Sequence, residues 1–176
     1  MNCGFLSNLR AIALGIGLAG LAALPAFAID ADVLLTPAAK RSVPAQELNC
    51  LAEAVYFEAR GESELGQLAV AQVVVNRTGS QAYPRSICGV VYQNQHKRNA
   101  CQFSFACDGL PEVKSEAAAW QKAKHIAYRI AGGGEVKTAL LRTATHYHAT
   151  YVSPSWAKKM TRLSKIGSHI FYREDR

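Results

Sequence analysis

Leu51-Ala-Glu-Ala-Val-Tyr-Phe-Glu-Ala-Arg-Gly-Glu62 is the stretch from which the rest of the chain can be read. Leu51, Ala52 and Val55, with Leu48 before them, recur at helical spacing, which predicts a helix over Glu47–Arg60. Glu47 falls in its first turn, where the dipole favours an acid, and Gly61 supplies the stop. Glu58 therefore sits at the end of a short apolar helix. A carboxyl half-buried there ionises reluctantly. A carboxylic acid that stays protonated near neutral pH is what cleavage of a glycosidic bond requires. The spacing alone fits an ordinary surface glutamate at least as well, and the weight moves only with the rest of the chain.

Working outward, Ser63 or Gly61 is expected to cap a second helix, Glu64–Arg77, whose apolar set is Leu65, Leu68, Ala69, Val73 and Val74. Gln67 and Gln72 interrupt that set. Thr78–Arg85 reads as a loop, Ser86–Tyr92 as a short helical piece and Gln93–Asn99 as an exposed polar loop. Ser115 is placed to cap a helix running to Ile130, with Ala119, Ala123, Ile126, Ala127 and Ile130 as its stripe and Gly132-Gly133-Gly134 as its stop. Thr143–Thr150 alternates like a strand. Pro154–Met160 suits a short helix, and Lys165–Tyr172 reads as a closing strand. The sum is an α+β domain, mainly helical, with a small late β element.

The N-terminus reads as an export signal over residues 1–28. Arg10 provides the charge, Ala11–Leu24 the apolar run, and Ala26-Phe27-Ala28 an A-x-A cleavage site after Pro25. Retention of the segment as an anchor is the alternative. Residues 29–45, with Pro37 and Pro44, read as a linker or N-terminal arm, which leaves 46–176 as one domain with a real core. The expected locale is periplasmic or extracellular, with no stable membrane anchor once the signal is removed, and the chain is expected to be monomeric. Of five cysteines, Cys3 lies in the signal. The even set that remains, Cys50, Cys88, Cys101 and Cys107, suggests disulfides in an exported protein. Cys101 and Cys107 bracket a tight segment and form the natural local pair, so that Cys50–Cys88 would tie the first helix to the piece after the second. A four-cysteine zinc site is the rival, but the close C-x-x-C pairs usual in such sites are missing. The formal charge of +7 fits an anionic polymer without choosing one.

Several further runs lie in order along the chain: Gly66-Gln67-Leu68-Ala69-Val70-Ala71, Val74-Val75-Asn76-Arg77, Tyr83-Pro84, Ile87-Cys88-Gly89-Val90-Val91-Tyr92 and Cys101-Gln102-Phe103-Ser104-Phe105. Thr145-His146-Tyr147-His148-Ala149 and Val152-Ser153-Pro154-Ser155-Trp156-Ala157 complete the set. With Cys50–Glu62 these runs resemble the cell wall hydrolase family typified by the spore-cortex-lytic enzyme SleB. The resemblance implies a lysozyme-like, lytic-transglycosylase-related fold over 46–176 as the catalytic domain. It implies peptidoglycan glycan strands as the partner, rather than nucleic acid, and Glu58 as the catalytic acid, with no cofactor. In such a mechanism Glu58 protonates the oxygen between N-acetylmuramic acid and N-acetylglucosamine, and the muramic C6 hydroxyl closes a 1,6-anhydro ring. Hydrolysis by water is the alternative, as is a secreted wall-binding module without catalysis.

Other residues carry weaker signals. Glu62 is a candidate second carboxylate, though a cap on the second helix is the better reading. Glu53 and Glu64 read as solvated or paired, and Asp108, in a Cys-Asp-Gly sequence, as a turn residue. Gln102 and Ser104 are placed to line a sugar groove, as are Phe103 and Phe105 unless both belong to the core. Tyr147 and Tyr151 are similarly divided between substrate contact and packing. His146 and His148 would share one strand face, as groove-wall residues or as metal ligands. A third ligand is not evident, so no metal is expected.

Overall fold

The computed structural model describes residues 42–97, 100–134 and 139–175; the expected export signal and the expected arm up to residue 41 lie outside the described residues. Helix α1 spans Ala45–Ala59, α2 Glu64–Thr78, α3 Ile87–Val91 and α4 Ala117–Ala131. Strands β1 (His146–Ala149), β2 (Thr161–Ile166) and β3 (His169–Arg173) follow.

Helix α1 is the axis of the domain. Leu51, Ala52, Ala54 and Val55 are all fully buried, so no face of its middle turns meets water. A helix apolar all round is a core helix, and α1 packs against α2, α3 and α4 together. The alanines among its residues allow the neighbours to approach closely. Burying a side chain such as Leu51 contributes roughly 1.5–3 kcal/mol.

The turn from α1 to α2 is closed by polar groups the periodicity passes over. Ser63 caps α2, its hydroxyl accepting the Gly66 N–H at 3.3 Å. Gln67, 2 % exposed, donates from Nε2 to the Glu62 carbonyl at 3.1 Å and towards that of Arg60 at 3.4 Å. Its place in an apolar set is thereby explained: it satisfies carbonyls that α1 leaves over. At the other end of α1, Glu47 accepts the N–H groups of Ile87 and Cys88 at 2.5 and 3.1 Å, and the Cys50–Cys88 disulfide fastens α3 to the same place.

Two expectations need correction. Ser115 does not cap α4. The residue flanking the helix is Glu116, which makes no side-chain cap bond. Its N–H is instead taken by the Tyr56 hydroxyl at 3.1 Å, and its carboxylate by Arg60 at 2.8 Å. The start of α4 is tied to α1 rather than capped by its own neighbour. The single closing strand is in fact a hairpin, β2–β3, turning through Gly167-Ser168 with Gly167 at φ +55°. A positive φ at the first of two loop residues is where glycine is favoured. The sheet is antiparallel in the order β1-β3-β2, with Tyr147 opposite Phe171 and His148 opposite Ile170.

Candidate active site

Strand alternation divides β1. Tyr147 shares the helix-facing side with His169 and Phe171, whose rings lie 5.1 and 5.7 Å away. His146 and His148 point to the other side. There they surround Trp156 with Tyr172, at centroid distances of 5.3, 5.6 and 5.5 Å, and His148 Nε2 lies 2.9 Å from the Tyr172 hydroxyl. His146 Nε2 meets the Tyr83 hydroxyl at 3.3 Å. Burial, with Arg77 nearby, holds the His146 imidazole below the ordinary histidine range. The H-x-H pair thus shares a face, as its spacing predicts, but on the side of the sheet away from Tyr147. Among the described residues no cluster of three histidine, cysteine, aspartate or glutamate side chains could hold a metal ion.

Tyr147 reaches Glu58. The phenol donates to Glu58 Oε2 at 3.2 Å, across 89 residues of sequence. Glu58 projects from the last turn of α1 and is half-buried. Burial raises its pKa above the ordinary glutamate value, and the Tyr147 hydrogen bond offsets part of that rise. Burial and the adjoining Glu58 charge push the Tyr147 phenol far up, so it remains a donor. Among the described residues Glu58 accepts no other hydrogen bond.

That cleft has a volume of about 500 Å³ and is bounded by Glu58, Gln102, Phe103, Ser104 and Asp108 with the Cys101–Cys107 disulfide. Ser104 is exposed along it. Phe103 is buried beneath its surface. Phe105 belongs to the core instead, stacked on Phe57 at 4.7 Å. Tyr151 is 86 % exposed in the turn after β1 and does not line this cleft. A larger cavity, about 780 Å³, opens elsewhere, beside Asn76, Arg142 and Arg173. Its carboxylates, Glu174 and Asp175, are exposed, and Asp175 is held by Thr161 and Arg173. Among the described residues no sheltered acid faces it.

Glu62 does not cap α2. Its carboxylate extends to the β2–β3 hairpin, where it accepts from the Ser168 N–H at 3.3 Å and from the Ser168 hydroxyl. Glu53 is paired and buried, with Tyr92 donating at 2.5 Å and Lys114 at 2.6 Å. Glu64 pairs with Arg129 at the surface.

Arg77 is the residue the periodicity misses. It is 2 % exposed at the end of α2, and its Nε donates to the Thr145 carbonyl at 2.7 Å. With the Gln102 carboxamide assigned from its hydrogen bonds, the amide oxygen accepts from Arg77 Nη1 at 2.9 Å and Nη2 at 3.3 Å. The guanidinium also lies over the Tyr83 ring at 5.0 Å and that of Phe103 at 5.8 Å. Asn76 beside it donates to the carbonyls of Leu141 and Ala144 at 2.8 and 2.7 Å. The pair joins the cleft wall to the strand that bears Tyr147. The available signal was a polar Asn-Arg pair ending an otherwise apolar helix.

The sequence profile of the Cell Wall Hydrolase family matches residues 61–172. The chain belongs to the cell wall hydrolase family. The match begins after Glu58 and takes in Gln102, Arg77 and Tyr147. Within the family, the chain is 30 % identical over 125 residues to a spore cortex-lytic enzyme of Bacillus cereus, covering 71 % of this chain and 43 % of that protein. The corresponding Bacillus subtilis enzyme is 29 % identical, with 71 % and 37 % covered. The chain thus spans less than half the length of these relatives. Its fold superposes on the catalytic domain of Bacillus cereus SleB with a TM-score of 0.60 at 29 % identity, covering 76 % of this chain and 94 % of that domain. The catalytic domain of a germination-specific lytic transglycosylase, SleB from Bacillus anthracis, gives 0.55 at 28 % identity, with 78 % and 100 % covered. These family members share the mainly helical, lysozyme-like α+β fold.

Proposed function

We propose that this chain cleaves peptidoglycan between N-acetylmuramic acid and N-acetylglucosamine, with Glu58 as general acid, and leaves 1,6-anhydro-muramic ends. The observation that carries the reading is a half-buried carboxyl, raised in pKa by burial, at the edge of an open cleft. Family membership supports the substrate, and the likeness to a germination-specific lytic transglycosylase of Bacillus anthracis supports the product.

Glu58 gives its proton to the glycosidic oxygen as the bond to the muramic anomeric carbon breaks. Tyr147 donates to Oε2 and so stabilises the carboxylate that results. That carboxylate then takes the proton of the muramic C6 hydroxyl, whose oxygen closes on the anomeric carbon. A nucleophile carried by the substrate has a high effective concentration, so a second protein carboxylate is not needed. Gln102 and Ser104 are placed to meet acetamido and hydroxyl groups along the strand. No cofactor enters the scheme. The leader over residues 1–28 fits an exported enzyme that meets its substrate in the periplasm or outside the cell.

Hydrolysis by water is the second reading, and Asp108 is what favours it. This carboxylate lines the same cleft as Glu58 and is exposed, and a water nucleophile is usually activated by such a second group. Glu62, engaged with Ser168, is the weaker candidate. Digestion of purified sacculi followed by mass spectrometry decides between them, because an anhydro end lacks one water. Anhydro ends are expected, with activity lost in Glu58→Gln by roughly 10²–10⁴-fold. Reducing ends, with Asp108→Asn as damaging as Glu58→Gln, would establish hydrolysis. Wall binding without any cleavage would leave a binding module.

A further inference from the structure

The α1–α2 turn and the β2–β3 hairpin meet at the Glu62 carboxylate, whose side chain is only 14 % exposed. It accepts from the Ser168 N–H and hydroxyl. Two glycines make room for it. A Cβ on Gly66 would stand 2.9 Å from Glu62 Cβ, and one on Gly167 would run into the carboxylate itself. The residue after Ser168, His169, is 8 % exposed; among the described residues its Nδ1 has no hydrogen-bond partner, but it faces Glu62 Oε1 at 3.7 Å. The same imidazole meets the Tyr147 ring edge-on at 5.1 Å. Tyr147 in turn donates to Glu58. A sheltered carboxylate needs partners, and these partners lead, contact by contact, to the acid of the cleft.

We propose that Glu62 is a positioning residue: by holding Ser168 and His169 it fixes the sheet so that the Tyr147 phenol stays on Glu58. The inference rests on the reading of Glu58 as the acid. It gives Glu62 a task other than helix capping or activation of water. The contact it preserves has a defined electrostatic effect. The Tyr147 hydrogen bond favours ionised Glu58 and opposes burial. If Tyr147 moves away, burial acts unopposed and the Glu58 pKa rises further. The other charged or titratable groups around the pair are Arg77, whose charge acts on Tyr147 from α2, Asp108 on the cleft wall, and His169. None of these is hydrogen-bonded to Glu58 among the described residues.

The test uses the full chain in four forms: wild type, Glu62→Gln, Tyr147→Phe and the double variant. Two readouts are taken, the pH–rate profile on sacculi and the carbon-13 NMR titration of the Glu58 carboxyl. In both single variants the alkaline limb and the NMR midpoint should move to higher pH. The shift should correspond to roughly tenfold in the Glu58 acid constant, the scale of one lost hydrogen bond to a charged group. The double variant should move no further than Tyr147→Phe alone. General loosening of the fold would lower activity at every pH and leave the midpoint in place. Ser168→Ala, which removes only the hydroxyl bond, should give a smaller shift in the same direction and serves if Glu62→Gln does not fold. An unmoved midpoint in a folded variant, or additive shifts in the double variant, overturns the proposal. If Glu58→Gln stays active while the midpoint moves as expected, the acid assignment fails and the positioning role stands. If Glu58→Gln is dead and the midpoint does not move, the positioning role alone fails.

Discussion

At the scale of single residues, Glu58 illustrates a site that costs the fold stability. Its folded pKa lies above the unfolded value because burial penalises the anion. The folded state therefore holds a proton that the unfolded chain releases, and stability falls as pH rises from the unfolded pKa through the folded one. Each unit of separation is worth about 1.4 kcal/mol. Glu58→Gln should accordingly melt higher than wild type at neutral pH, with the gain vanishing below the ordinary glutamate pKa. Calorimetry at pH 7 and at pH 4 checks this; an equal gain at both values would mean that desolvation is not the cause. The same physics sets the activity profile, which should persist to a higher pH than an unperturbed glutamate allows and be lost as Glu58 ionises. His169 runs the other way. Burial lowers its pKa, so it weakens the fold as pH falls through the ordinary histidine range.

At the scale of elements, the cleft depends on how α2 grips its neighbours. Arg77 lies buried against Thr145, Gln102 and Tyr83, so its planar fork does what a lysine could not. Arg77→Lys should cost about 2–3 kcal/mol through acceptors left without donors. It should also raise KM on sacculi more than it lowers kcat, because the residue it frees, Gln102, belongs to the cleft wall. Urea unfolding and steady-state kinetics measure the two effects. A variant of wild-type stability would show that the buried guanidinium makes no net contribution. The hairpin offers the complementary case. Its turn glycine must accept both a positive φ and the Glu62 carboxylate, so Gly167→Ala strains the backbone and displaces the latch together.

For the whole molecule, the two disulfides act on different things. Cys50–Cys88 closes 38 residues and ties α3 to the central helix, whereas Cys101–Cys107 closes 6 beside the cleft. By loop-closure entropy the first should contribute about 4 kcal/mol and the second about 2 kcal/mol. Replacing the first pair by serine should lower Tm most and leave the kinetics of surviving enzyme intact. Replacing the second should lower Tm less but raise KM, since both cysteines line the cleft. A larger Tm loss from the second pair would contradict the entropic ordering. Among the described residues no helix is long and apolar enough to cross a membrane.

Much of this domain is decided by local pattern. The apolar spacing around Leu51 and Val55 and the stop at Gly61 place Glu58 at a helix end, and Gly132 ends α4 as its position predicts, because such signals act within one or two turns. The cysteine spacing led to the observed pairing by the same short-range logic. The features that failed locally are those in which a distant group competes. Glu116, held by Tyr56 and Arg60, flanks α4 where Ser115 was expected to, and Ser168 claims the carboxylate that was expected to cap α2. The face on which His146 and His148 lie could not be known until β3 set the register of β1. What only the tertiary structure decided is the environment of the acid: Tyr147, far along the chain, and the buried Arg77 beside it. A carboxyl's pKa follows from which groups exclude water from it and which donate to it, and no spacing along the chain encodes that.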